Sequence, residues 1–137
     1  MADWTLDPTL AADTTAVGDL PLSRLLLSGD ANYPWLVLVP RRPGVREIVD
    51  LDAADRQLLF DEIVRVSEAL RAVTACHKLN VAALGNVVAQ LHVHVVARTR
   101  DDPAWPKPVW GAVPARAWDP AARDRLAAAL RGRLATA

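Results

Sequence analysis

Residues 89–97 read A-Q-L-H-V-H-V-V-A, and three polar side chains stand at alternate positions of this otherwise apolar run. Successive side chains of a β-strand point to opposite faces of the sheet. A strand over residues 90–97 therefore places Gln90, His92 and His94 on one face and leaves an apolar face for the core. Packing alone does not favour three polar groups side by side on a strand, so this face is a candidate functional site.

Two histidines spaced two residues apart fit four explanations, and the first two do not use a histidine as a base or a nucleophile. The side chains can lie on a solvent-facing strand and have no particular function. They can also bind one metal ion together, although a catalytic zinc site normally has three protein ligands. The remaining soft ligands, Cys76 and His77, fall together at a predicted helix end, and no carboxylate stands at a recognisable ligand spacing from the pair.

The other two explanations are catalytic. A histidine can be the general base for a separate nucleophile, but the chain has no G-x-S-x-G motif and Cys76 has no partner pattern. A histidine can also be the nucleophile itself, because neutral imidazole attacks phosphorus and the product is readily hydrolysed. That reaction needs one ring nitrogen held by a hydrogen bond and polar neighbours for the phosphate oxygens.

Upstream of this run, the sequence predicts one more strand and a long helix. The run L-N-V-A-A-L (79–84) is typical of a strand, and Gly85-Asn86 predicts a hairpin turn that can widen through residue 89. Residues 52–75 predict a helix that Asp52 caps, with Asp55 three residues later. Its apolar stripe consists of Leu59, Ile63, Val66, Leu70 and Val73. Its charged side, expected to lie in water, consists of Arg56, Asp61, Glu62, Arg65 and Glu68.

Further out, two apolar runs at 24–28 and 35–39 flank a cluster of turn formers and predict a hairpin that Pro40 ends. Residues 1–22 predict an irregular lead-in with at most one short helix. Residues 101–114 hold four prolines and two tryptophans and are expected to be ordered but irregular. Asp119-Pro120 predicts the start of a C-terminal helix that presents Leu126, Leu130 and Leu134 on one face. This order of elements is typical of an α+β fold with an antiparallel sheet.

Composition bounds the class of protein. The chain of 137 residues predicts a single domain over residues 1–137, with its core at about 22–110 and a partly helical segment at 111–137. Sixteen basic residues balance sixteen acidic ones, which gives no global charge to attract nucleic acid or an anionic membrane. The single cysteine excludes an internal disulfide, and the start of the chain resembles no signal peptide. We therefore expect a soluble, cytoplasmic protein.

The run Q-L-H-V-H-V-V resembles the His-φ-His-φ-His-φ-φ signature of the histidine-triad (HIT) superfamily of nucleotide hydrolases and transferases, where φ is an apolar residue. The likeness extends over roughly residues 22–110. As in the family, a strand with an asparagine, Asn80, leads through Gly85-Asn86 to the triad. An Asp-containing turn at Asp30 precedes a strand that ends in Val-Pro, and Trp105-Pro106 follows the triad. The resemblance implies a HIT-like α+β fold, with a long helix and a C-terminal helix on a central antiparallel sheet.

The resemblance also implies roles for individual residues. The middle position of the signature, His92, corresponds to the nucleophile. His94 is expected to line the phosphate site and to fix the tautomer of His92 through its backbone carbonyl. Asp30 stands where the family binds ribose. Three further candidates for nucleotide binding follow it in the chain: Asn80, Gly85 and Asn86. Turn formation or strand capping explains the two asparagines equally well.

Two positions depart from the family pattern. Gln90 replaces the first histidine of the triad and remains a catalytic candidate, because glutamine can form a hydrogen bond to a phosphate oxygen or to a neighbouring residue, although it cannot shuttle a proton near neutral pH. Val87 stands where some members place a phosphate-contacting serine. Whether Trp105 and Trp110 reach a partner's site or cover the domain's own core stays open at this point.

The resemblance implies hydrolysis at the α-phosphorus of a nucleotide conjugate, such as diadenosine tetraphosphate or a nucleoside phosphoramidate, through a nucleotidyl-histidine intermediate. The alternatives are a nucleotide-binding or regulatory domain with little catalysis and, behind it, a metal-binding His-x-His protein. No resident cofactor or metal is implied, although a divalent cation can arrive with the substrate's phosphates. The expected partners are the small nucleotide and a second copy in a homodimer, and neither nucleic acid nor membrane.

Overall fold

The computed structural model describes residues 3–135 and shows an α+β architecture, which confirms the predicted class. Residues 1, 2, 136 and 137, which belong to the predicted lead-in and C-terminal segment, lie outside the described residues. The strands form one antiparallel sheet in the order β1-β2-β3-β5-β4. In chain order the elements are α1 (Pro8–Asp13), β1 (Thr14–Asp19), β2 (Ser23–Ser28), β3 (Trp35–Pro40), a short 3-10 turn (Ile48–Asp50), α2 (Ala53–Thr74), β4 (Lys78–Ala82), β5 (Val93–Arg98) and α3 (Pro120–Ala135).

The first hairpin of the sheet confirms one prediction, and the edge strand beside it corrects another. The hairpin expected from residues 24–28 and 35–39 is formed by β2 and β3. The irregular lead-in expected over residues 1–22 is wrong for residues 14–19, which form β1 against β2 with a bulge between Ala16 and Gly18. Val17 is the one buried side chain of β1, so the strand lacks the apolar alternation by which a sequence reveals a half-buried strand.

Helix α2 begins and packs as its sequence predicts, with one exception. The Asp52 side chain caps it by accepting a hydrogen bond from the Asp55 N–H, and its apolar stripe covers one face of the sheet. Glu62, expected in water, is buried instead, and its carboxylate accepts hydrogen bonds from the N–H groups of Leu22 at 2.7 Å and Ser23 at 3.0 Å. Buried backbone donors need acceptors, and the helix supplies this one to the start of β2.

The strand that carries the histidines is shorter than the sequence predicts. β5 begins at Val93, and residues 83–92 form a loop much wider than a Gly-Asn turn, although β4 and β5 pair as expected. Gln90 therefore lies in the loop, and the prediction that it shares a strand face with both histidines is wrong. His94 lies within β5, opposite Val37 of β3, on the sheet face away from α2.

The ends of the chain complete both layers. Helix α3 begins after Asp119, whose carboxylate accepts a hydrogen bond from the Ala122 N–H, and it buries Leu130 beside α2, as predicted. On the opposite face, residues 4–13, which we call the N-terminal segment, pack against β2 and β3 beside the histidines. Residues 101–114 contain turns but no helix or strand, as predicted. Across residues 3–135, no helix is long and apolar enough to cross a membrane.

Candidate active site

His92 is held in one tautomer by the loop that precedes β5. Its Nδ1 lies 2.7 Å from the backbone oxygen of Gln90. A carbonyl can only accept, so Nδ1 carries the hydrogen and the neutral ring keeps its lone pair on Nε2. Among residues 3–135, Nε2 has no hydrogen-bond partner. The predicted role of the His94 carbonyl in fixing this tautomer is wrong, because the carbonyl that reaches the ring comes from the loop two residues before His92.

His94 is buried beside His92, and both of its ring nitrogens are engaged. The indole N–H of Trp35 donates to Nδ1 at 3.0 Å, and Nε2 lies 2.9 Å from the backbone oxygen of Leu84. Nδ1 must therefore accept and Nε2 must donate, which makes His94 a neutral ring with neither nitrogen free for a phosphate. Burial lowers the pKa of His94, and the neighbouring His92 ring lowers it further, against the opposing effect of the Leu84 carbonyl.

We expect His94 to stay neutral at pH values where an ordinary histidine, with a pKa of 6.5, is protonated. The change Trp35→Phe removes the donor to Nδ1, so it should raise the pKa of His94 towards its usual value. Titration of ¹⁵N-labelled histidines by NMR measures the pKa of His94 in the wild-type protein and in the variant. Because the folded-state pKa is lowered, the stability that neutral His94 supplies is present above 6.5 and is lost as the pH falls.

Trp118→Phe is the matched control, because the indole of Trp118 donates to the Ser28 carbonyl and does not contact His94. A wild-type pKa of 6.5 or higher for His94, or an equal shift in both variants, would contradict the assigned hydrogen bond.

The loop of residues 83–92 passes close to the His92 ring. A Cβ added to Gly85 would lie 2.9 Å from Cε1 of His92 and 2.7 Å from the Val88 oxygen, distances that real side chains do not adopt. Only glycine fits this close approach. The bond from His94 to the Leu84 carbonyl fixes the residue just before it. His94 therefore positions the loop that surrounds His92.

The two histidines open onto a cavity of about 450 Å³, which we call the histidine cavity. Its size suits a small organic ligand. The rings of His92 and His94 lie 4.9 Å apart, and the wall beyond them is formed by the indoles of Trp35 and Trp110. The lining consists of Thr9, Leu10, Asp13, Thr14, Ser28, Trp35, Val37, Leu84, Gly85, Asn86, Val87, Val88, His92, His94 and Trp110.

The structure brings some of the predicted site residues to this cavity and not others. Gly85 and Asn86 line it. Asp30 lines an adjoining cavity, where its carboxylate accepts from the N–H groups of Asn32 and Arg116. Asn80 does not reach the histidines, because its side-chain oxygen accepts a hydrogen bond from Arg98 at 2.8 Å.

Gln90 does not line the histidine cavity, although it lines a smaller adjoining cavity together with His92, and its side chain is bonded to the N-terminal segment. Its side-chain oxygen accepts from the Asp7 N–H and its side-chain nitrogen donates to the Thr5 oxygen, both at 2.9 Å. The first position of the triad thus holds the N-terminal segment.

Sequence reasoning missed most of the cavity wall. Thr9, Leu10 and Asp13 come from a segment expected to be irregular, and no motif marks them. Trp110 resolves an open question in part, since it lies 5.1 Å from the His94 ring within its own chain. Trp105 instead lies over Arg98, at 5.5 Å from its guanidinium. The signal that could have found Trp110 is its place in a proline-rich segment that has to cover an apolar face.

The arrangement offers nucleophilic chemistry and little metal chemistry. In the tautomer that the Gln90 carbonyl selects, the neutral His92 ring carries its lone pair on Nε2 and lines a cavity with polar groups, the layout that attack on phosphorus requires. No group of three or more His, Cys, Asp or Glu side chains in residues 3–135 is placed to hold a metal ion. A metal on His94 would also have to displace Trp35 or the Leu84 carbonyl.

The chain is similar to known proteins in sequence and in fold. The model of the HIT domain family matches residues 9–101. A histidine-triad protein of Bradyrhizobium japonicum has 52% identity and a TM-score of 0.96, with 97% of this chain and 99% of that chain covered. Histidine-triad proteins of Sinorhizobium meliloti (TM-score 0.93, covering 96% and 97%) and Marinobacter aquaeolei (0.94, covering 98% and 98%) are each 40% identical. No curated protein matches the chain.

Proposed function

Because the chain belongs to the HIT family, we propose that it is a nucleotide hydrolase acting at the α-phosphorus of a nucleotide conjugate. The proposed substrates are dinucleoside polyphosphates, such as diadenosine tetraphosphate, and nucleoside phosphoramidates. One observation carries the proposal: the Gln90 carbonyl holds Nδ1–H of His92, which leaves Nε2 as a lone-pair donor at the histidine cavity.

The proposed reaction has two displacements at phosphorus. Nε2 of His92 forms a bond to the α-phosphorus while the bond to the leaving group breaks, and the leaving group takes a proton from water. The ring is then positively charged, and its Nδ1–H bond to the Gln90 oxygen strengthens because a charged donor binds a carbonyl more tightly. Water then attacks the phosphorus, which breaks the N–P bond, returns its electron pair to Nε2 and releases the nucleoside monophosphate. The proton that this water loses neutralises the hydroxide left by the first step.

The cavity supports a nucleoside beside this nucleophile. Trp35 and Trp110 supply aromatic surface for a base, and Gly85 and Asn86 line the cavity together with His92, which supports their proposed contacts with a phosphate. The adjoining cavity shares Asp13, Thr14, Ser28 and Trp35 with the histidine cavity, so a ligand that extends through both reaches the predicted ribose residue Asp30. Asn80 has no part in this proposal.

The charge of the cavity bears on the cofactor question. Among the described residues that line it, Asp13 is the one side chain with a formal charge. Arg46 lines a smaller adjoining cavity that shares Gly85, Asn86 and His92, and Glu47 stands beside it there. Because no lysine or arginine among the described residues lines the histidine cavity itself, we propose that a divalent cation enters bound to the substrate's phosphates. We propose no resident cofactor. Hydrolysis of a polyphosphate substrate should then fall when a chelator removes the cation, while hydrolysis of a phosphoramidate should not.

The direct test is incubation with diadenosine polyphosphates and adenosine phosphoramidates, with chromatographic detection of released nucleotide. Release by the wild-type protein above the rate of a His92 variant supports the proposal. Equal rates for both proteins on every substrate contradict it.

A second function is favoured by a specific observation. Both ring nitrogens of His94 form hydrogen bonds within the protein, as do the side-chain oxygen and nitrogen of Gln90, so His92 acts without a second proton carrier from the triad. The alternative is a nucleotide-binding or regulatory domain with little turnover. Calorimetry with AMP and GMP separates the two, because binding without turnover on any substrate favours the alternative.

The proposal also concerns partners and compartment. The balanced charge and the single cysteine, Cys76, a free thiol in the structure, support a cytoplasmic protein whose ligand is a small nucleotide and which binds neither nucleic acid nor membrane. Fractionation of cells that express the tagged protein checks the compartment.

A homodimer is proposed on the exposed side of α2 and the edge of the sheet. Phe60 is 63% exposed and Val64 is 42% exposed on α2. Val81 is 49% exposed on β4, the edge strand, on the sheet face that α2 covers. Exposed apolar side chains beside an unpaired strand edge are a common basis for association.

The change Phe60→Glu should convert the dimer to a monomer, because a carboxylate in an apolar interface loses its hydration without a partner. Sedimentation velocity measures the change in mass. Val49→Glu, the same kind of change at an apolar side chain that is 78% exposed on the 3-10 turn and lies outside this surface, is the matched control and should leave a dimer. A wild-type monomer, or a dimer that survives Phe60→Glu, would contradict the proposed interface.

A further inference from the structure

We propose that Gln90 is a positioning residue. Its side chain holds the N-terminal segment in place, and that segment forms one wall of the histidine cavity. This inference rests on the proposed function, because it concerns the cavity in which the nucleotide would bind.

The Gln90 side chain makes the bonds that a peptide group would make. Thr5 O and Asp7 N–H flank one residue and point to the same side, and the amide of Gln90 binds both at 2.9 Å. An amide carries a donor and an acceptor at every pH, whereas an imidazole loses its acceptor when it is protonated. Glutamine therefore suits this position better than the histidine of the family signature.

The segment that Gln90 holds forms part of the cavity. The Asp7 carboxylate caps α1 by accepting a hydrogen bond from the Thr9 N–H at 2.8 Å, so the bond from Gln90 fixes the start of that helix. Within the helix, Thr9, Leu10 and Asp13 line the histidine cavity. Leu10 also packs with Val88 of the loop that surrounds His92.

The same residue contacts the nucleophile through its backbone. The Gln90 oxygen accepts from Nδ1 of His92, while its side chain reaches Thr5 and Asp7. One residue thus joins the wall of the cavity to the ring that faces into it. The predicted catalytic role of Gln90 is replaced here by a role in holding the site together.

Two variants of the full chain test the inference. Gln90→Met keeps the length of the side chain and removes both hydrogen bonds, and Gln90→Glu keeps the acceptor for Asp7 but loses the donor to Thr5. In Gln90→Met, hydrogen exchange of the Asp7 amide without ligand should become at least about tenfold faster, as expected for a lost hydrogen bond. In Gln90→Glu the hydrogen exchange of the Asp7 amide should increase less, and the N-terminal segment should be held less tightly than in the wild-type protein. The control Gln57→Glu, on the exposed side of α2, should leave the exchange at Asp7 unchanged.

The second readout separates positioning from catalysis. Loosening the wall should raise KM, or the Kd for AMP by calorimetry, about tenfold while kcat changes by less than about twofold. Unchanged exchange at Asp7 in both variants would overturn the inference, and so would a loss confined to kcat. If AMP binds neither the wild-type protein nor Gln90→Met, but hydrogen exchange at Asp7 is faster in the variant, then the proposed function is wrong. The role of Gln90 in holding the N-terminal segment is still supported.

Discussion

Replacing His92 by asparagine is expected to lower nucleotide release by roughly a thousandfold or more, because it removes the atom that attacks phosphorus. An asparagine amide can still donate to the Gln90 oxygen from about the position of Nδ1, so the loop should keep its shape. AMP should bind nearly as well as to the wild-type protein, since the walls of the histidine cavity are untouched. Steady-state kinetics and calorimetry measure the two quantities separately.

A covalent intermediate gives this prediction a second test. Rapid acid or base quenching of the wild-type reaction, followed by mass spectrometry, should find a nucleotidyl adduct on the peptide that contains His92. The asparagine variant should show no adduct on any peptide. Turnover that persists in the variant, or an adduct on His94 or His77, would sink the assignment of His92 as nucleophile.

The sequence predicted those strands and helices in which the spacing of the apolar residues matches the side-chain repeat of the element that forms. β2, β3 and α2 bury continuous runs or one helical stripe, and their turns and caps are local, as at Asp52. β1 was missed because its strand character comes from pairing with β2 and not from its own side chains. Hydrogen bonds between two strands leave no periodic pattern in the sequence of either strand, so pairing of this kind cannot be read from the sequence.

The same reason explains what was predicted at the site and what was not. The alternation at 92 and 94 placed the two histidines side by side, and their ring centroids are 4.9 Å apart. The role of Gln90 depends on Thr5 and Asp7, more than eighty positions away, and the role of Glu62 depends on two amides that lie 40 and 39 positions away. Polar residues of this kind were assigned to solvent or substrate because their true partners are backbone groups, which look alike in every sequence.

The largest loss of stability is expected from Arg98→Met, which breaks a buried ion pair behind the site. Arg98 is 1% exposed and Asp102 is 6% exposed, with Nε and Oδ2 of the pair 2.7 Å apart. The guanidinium also donates to Asn80 and to the Lys107 oxygen. Methionine fills much of the space but leaves a buried carboxylate without its partner, which costs about 3–5 kcal/mol of the free energy of unfolding.

The pH dependence of this loss identifies its cause. Burial by itself raises the pKa of Asp102, but hydrogen bonds from Arg98 and from the N–H groups of Trp105 and Ala104 outweigh it and lower the pKa below 3.8. A lowered carboxyl pKa supplies stability that is present at neutral pH and is lost as the pH falls through the folded-state value. The gap between wild type and Arg98→Met should therefore narrow in acid, since protonation relieves the unpaired charge in the variant. Urea unfolding at several pH values measures it, with Arg123→Met as the control: that exposed pair with Asp124 should cost at most about 1 kcal/mol. If Arg98→Met and Arg123→Met lose similar amounts of unfolding free energy, or if the loss in Arg98→Met grows in acid, then the Arg98–Asp102 pair does not stabilise the fold in this way.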